Sequence, residues 1–83
     1  MAPTSPLDKA QSRPRTRGEA RRALLRERGV SLSEISRRLG KDLSVVSRVN
    51  GGQRRSREIE AAIAHHLGLS VRDAFPEWYP QDP

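Results

Sequence analysis

Between positions 50 and 57 the chain crowds Asn50, Gln53, Arg54, Arg55 and Arg57, a run of hydrogen-bond donors with three guanidinium groups and no acid. A guanidinium stays charged at any physiological pH and presents its N–H groups as a planar fork, so the chemistry on offer is capture of phosphate oxygens. Arg13, Arg15 and Arg17 repeat that chemistry without a local acid; such an arm suits a minor groove, and equally suits a solubilising tail. Catalysis has little to build on. His65 and His66 are neighbours and point in different directions on a helix, no cysteine is present, and no carboxylate stands three or four residues away to complete a metal set. No cofactor, metal, small-molecule ligand or enzymatic activity is expected.

Length and charge narrow the class. With 83 residues, 34% of them hydrophobic, the chain has material for one small core of a few short helices. Residues 1 to 57 hold fifteen of the sixteen basic residues against five acids, and residues 58 to 83 hold Arg72 against five acids, so +10 is followed by −4. A polarised chain of this kind turns one basic face to a polyanion; double-stranded DNA, RNA and an anionic membrane surface all meet that criterion. No apolar stretch approaches the ~18 residues of a membrane span, and residues 1 to 17 lack the apolar segment of a secretory signal, so the expected location is cytoplasmic.

The elements that position these residues read as helices. Gly18 to Arg28 places Ala20, Ala23, Leu24 and Leu25 on one stripe and ends at Gly29. Ser31 and Glu34 have the S-x-x-E spacing of a capping box, Val30 and Ile35 form a hydrophobic staple, Ile35 and Leu39 face inward, and Gly40 closes the second helix. Asp42 caps a third helix through Val49, with Val46 and Val49 inward and Ser44, Ser47 and Arg48 outward. Asn50-Gly51-Gly52 stops it; an Asn-Gly hairpin is disfavoured because the flanks do not alternate. A fourth helix starts at Ser56, with Glu58 and Glu60 at its positive end, Ile59, Ala62, Ile63 and Leu67 on one side, and Gly68 as its stop. Ser70 then caps a short turn to Ala74, ahead of Phe75, Trp78 and Tyr79.

The segment Leu32-Ser-Glu-Ile-Ser-Arg-Arg-Leu-Gly-Lys-Asp-Leu-Ser-Val-Val-Ser-Arg-Val-Asn50 resembles the helix-turn-helix of lambda-repressor-like regulators. Arg57 to Tyr79, with its Leu-Gly-Leu-Ser and Phe-Pro, extends the resemblance to small phage-derived Ner-type proteins. The likeness covers residues 18 to 79. Two positions depart from it: Ser36 stands where alanine is commoner, and Lys41 occupies a turn position that is usually apolar. Val-Ser-Arg-Val-Asn-Gly is also similar to the headpiece of lac-repressor-type proteins, but the helix before the motif and the short chain disfavour that reading.

The resemblance implies an all-α fold of four to five short helices, a disordered basic arm over 1–17, a DNA-binding domain over 18–79 and a tail over 80–83. It implies base-edge contacts from Leu43, Ser44, Ser47 and Arg48, with Leu32 and Ser33 near the duplex and Asn50, Gln53, Arg54, Arg55 and Arg57 on phosphate. An arginine at position 48 suits guanine O6 and N7, whereas serine hydroxyls read several bases weakly. The function implied is sequence-specific regulation of transcription, with repression by a homodimer on operator DNA at the nucleoid of a bacterial or phage-infected cell as the expected mode. Phe75, Trp78 and Tyr79 cover the core or meet a dimer partner. The alternative from another class is an antitoxin-like or phage-encoded protein-interaction module that binds DNA secondarily.

Overall fold

Five α-helices make up the residues that the computed structural model describes, 16–79: α1 (Arg17–Glu27), α2 (Leu32–Leu39), α3 (Leu43–Asn50), α4 (Arg57–Leu67) and α5 (Val71–Ala74). The expected all-α architecture is the observed one, and there is no strand among the described residues. Side-chain hydroxyls start four of the helices. Thr16, Ser31, Ser56 and Ser70 each accept a hydrogen bond from the backbone amide three residues on, satisfying a donor that the helix itself leaves free. Gly40 and Gly68 close α2 and α4 with left-handed φ values of 67° and 72°.

Four local expectations need correction. Thr16 caps α1 one residue earlier than the stripe suggests, so Arg17 belongs to a helix and not to an arm; Arg13, Arg15 and the rest of the expected arm lie outside the described residues, as does the tail over 80–83. The capping box at Ser31 is half made, because the Glu34 carboxylate accepts from Arg38 at 2.7 Å, one turn on. Asp42 has the extended backbone of an N-cap, but its side chain makes no capping bond. Asn50 is the last residue of α3, not part of its stop.

The core gathers Leu25, Leu32, Ile35, Val46, Val49, Ile59, Ile63, Ala64, Leu67, Ala74 and Phe75. α4 is the hub, packing against each of the other four helices. α1 approaches the end of α3 so closely that a Cβ on Gly18 would lie 3.1 Å from both the Asn50 carbonyl oxygen and the Gly51 Cα. A side chain there would press on backbone, which would have to give by a few tenths of an ångström.

Candidate nucleic-acid interface

α2 braces α3. The Lys41 amide donates to the Ser36 carbonyl at 3.0 Å and the Gly40 amide to Arg37 at 3.3 Å, which ends α2 and redirects the chain within three residues. Ser36 is buried on α2, and its hydroxyl turns back to the Ser33 carbonyl at 2.7 Å, so the polar group is satisfied within its own helix. Lys41 keeps its ammonium outward, 3.4 Å from the Glu58 carboxylate. Ile35, Val46 and Val49, all essentially inaccessible to solvent, lock the pair.

What α3 turns outward is Leu43, Ser44, Ser47 and Arg48, all exposed. At 3.6 residues per turn these four span an arc of about 140°, a single face clear of the α2 contact. Arg48 forms no ion pair with any described residue. Beyond the helix, the Gln53 amide donates to the Arg48 carbonyl at 2.9 Å and Gly52 takes a left-handed φ of 78°, folding the loop back against the end of α3. Gln53, Arg54 and Arg57 are exposed there, and neither arginine is paired among the described residues. A groove of about 420 Å³ separates this loop from the turn, lined by Lys41, Asp42, Val45, Arg54, Arg55 and Ser56.

Several residues expected on this surface lie elsewhere. Leu32 is 7% exposed and belongs to the core at the start of α2, so its side chain offers almost no surface for contact. Asn50 is buried as well. Its Nδ2 donates to the Gly18 carbonyl at 3.1 Å, and its Oδ1 accepts from Arg21 Nε at 3.2 Å, which leaves the side chain no reach to phosphate. Phe75 is wholly buried and is not available to a dimer partner, whereas Trp78 and Tyr79 are half-buried beside it.

Arg21 is the residue that sequence reasoning missed. It is fully buried in α1, and its five N–H donors meet five acceptors. Nε bonds Asn50 Oδ1; Nη1 bonds the Ala74 carbonyl at 2.7 Å and Glu77 Oε1 at 3.2 Å; Nη2 bonds the Asn50 carbonyl and Glu77 Oε2, the latter at 2.7 Å. The Phe75 ring lies 4.0 Å from the guanidinium carbon. A buried cation is tolerable only when its charge is matched and every donor is used, and both conditions hold here. One side chain thus ties α1, the end of α3 and the C-terminal segment together.

Arg55 is drawn into a second knot. Its Nε donates to Glu60 at 3.0 Å and its Nη2 to the Tyr79 hydroxyl at 3.2 Å, while its guanidinium lies 4.5 Å from the Trp78 ring centre. Glu60, buried on α4, also accepts from the Ser56 amide at 3.1 Å and from the Tyr79 hydroxyl at 3.2 Å. Burial by itself pushes the Glu60 carboxyl up, but the bonds from Arg55, the Ser56 amide and Tyr79, with the Arg55 charge, outweigh it and hold the group below the ordinary glutamate range. The bond to Glu60 is in turn the main reason that the Arg55 guanidinium is held above its usual value. Ser56 and Glu60 therefore cap α4 reciprocally, the serine hydroxyl accepting from the Ile59 amide at 3.3 Å.

A short helix braced through a glycine turn by a second one, with a polar outer face and unpaired cations beside it, defines a helix-turn-helix DNA-binding domain. The chain belongs to the winged helix-turn-helix DNA-binding family, whose model matches residues 19–83. No curated protein and no solved structure matches the chain. The described residues hold helices and no strand, so no β-wing stands among them. None of the described helices is long and apolar enough to cross a membrane.

Proposed function

We propose that this protein is a sequence-specific regulator of transcription, a repressor of the lambda-repressor-like, Ner type, that inserts α3 into the major groove of double-stranded DNA. Base edges are read by Leu43, Ser44, Ser47 and Arg48. Ser33, Gln53, Arg54 and Arg57 bind the phosphates on either side, and Arg55 joins them through the N–H groups that it does not spend on Glu60 and Tyr79. The observation that carries this reading is the state of Arg48: it is exposed, in no ion pair with a described residue, and bounds a face that otherwise carries only small hydroxyls and one leucine. A major groove about 12 Å wide admits a helix, and a guanidinium is the side chain best matched to guanine there.

Two copies on half-sites one helical turn apart, about 34 Å, complete the proposal, with the half-buried Trp78 and Tyr79 contributing their remaining aromatic surface to the contact between them. The aromatic cluster is already largely engaged by Arg21 and Arg55, which gives the protein-interaction alternative less surface to use. Selection of bound sequences from random duplex DNA, followed by gel shifts over a salt series, tests the reading. It requires one recovered motif and a steep fall of affinity with salt. Equal affinity for all sequences contradicts it.

A further inference from the structure

Leu43 is the only large hydrophobic side chain that stands exposed among the described residues, 46% accessible, and it opens α3 on the same face as Ser47 and Arg48. The exposed residues beside it on the chain and on its face are polar: Asp42 precedes it, Ser44 follows, and Ser47 lies one turn on. Resting on the major-groove reading above, we propose that Leu43 recognises the 5-methyl group of a thymine, so that the selected sequence favours a thymine near the guanine bound by Arg48.

The chemistry narrows the choice of ligand. Of the base edges exposed in a major groove, one bears an apolar group, the C5 methyl of thymine; the others present donors and acceptors that leucine cannot satisfy. A leucine pressed against those would strip water from them and return no hydrogen bond. Spacing gives the position. Leu43 and Arg48 are five residues apart on the helix, about 7.5 Å along its axis at 1.5 Å per residue. Base pairs in a duplex follow one another every 3.4 Å, so the thymine falls within about three base pairs of the guanine. Ser44 and Ser47, too short to compete for the same space, leave the leucine free to reach the methyl.

The test replaces each thymine of the selected site, one at a time, by deoxyuridine, which removes the methyl and leaves pairing and charge unchanged. Affinity of the wild-type chain falls about three- to five-fold at one position, the value of burying a single methyl-sized group. The Leu43→Ala variant, whose exposed site and good helix former leave the fold intact, binds the two duplexes equally. Circular dichroism confirms its helicity. Wild-type chain that ignores every thymine-to-uridine change, or a Leu43→Ala variant that still discriminates, overturns the thymine assignment while the DNA-binding reading stands. A chain that selects no sequence at all overturns both.

Discussion

Arg21 and Arg48 are the same residue type on two helices of one small domain, and their surroundings are opposite. Arg21 is fully enclosed, with Glu77, Asn50 and the Ala74 carbonyl around its donors and Phe75 against its face. Arg48 stands open on α3 with no partner in the described chain. Charge counts treat them alike. The difference lies in helix register: Arg21 falls on the buried stripe of α1 with Gly18 and Leu25, three residues after one and four before the other, whereas Arg48 lies opposite Val46 and Val49 on α3. A basic chain therefore spends part of its positive charge on its own architecture, and only cations off the buried stripes are available to a polyanion.

The comparison breaks first if Arg21 proves dispensable. Arg21→Met removes a charge whose loss leaves Glu77 and Asn50 without their partner, and the expected cost is about 3–5 kcal/mol of folding stability, read from urea denaturation. That is a large share of the total for a domain of this size. Unchanged stability would mean that the arginine is a passenger in the core.

Glu60 sharpens the comparison by pH. Its carboxyl is depressed in the folded chain relative to an ordinary glutamate, so the stability it contributes is fully present above the ordinary glutamate pKa and is lost as pH falls through the folded value. Thermal unfolding followed from neutral pH down through the glutamate range should show the melting temperature of the wild type falling more steeply than that of Glu60→Gln, which is the less stable of the two at neutral pH. The effect is smaller than that of Arg21→Met because Arg55, its partner, shares its charge with solvent. Parallel melting curves would remove Glu60 from the set of built-in ion pairs.

The smallest structural effect belongs to Arg54. Exposed and unpaired, it changes stability by less than about 0.5 kcal/mol when replaced by alanine, as measured by the same denaturation. A larger loss would place it with Arg21 rather than with Arg48.

Much of the fold was legible in advance, and the reason is local. Ser31, Ser56 and Ser70, with Gly40 and Gly68, mark helix ends by chemistry that acts within a few residues, and each performs that role. The buried polar residues were not legible, although their spacing was. Asn50 lies four residues after Val46, and Glu60 lies four and seven before Ala64 and Leu67, so periodicity alone puts both on inward faces. Their polarity argues for solvent or phosphate instead. What reverses that argument is a partner far along the chain: Arg21 for Asn50, and Tyr79 for Glu60. Such pairings exist only after the helices have packed. The same limit explains Arg55, whose place in a basic run concealed its engagement with Trp78 and Tyr79.

The central claim, that α3 reads sequence while the adjoining loop grips the backbone, is tested most directly by comparing Arg48→Ala with Arg54→Ala on the selected site and on an unrelated duplex across a salt series. Loss of Arg48 should cost about 1–3 kcal/mol on the selected site and relax specificity, whereas loss of Arg54 should weaken both duplexes alike and lower the salt slope by about one. If both variants lose affinity uniformly on the two duplexes, Arg48 does not read bases, and the assignment of α3 as the reading helix is contradicted.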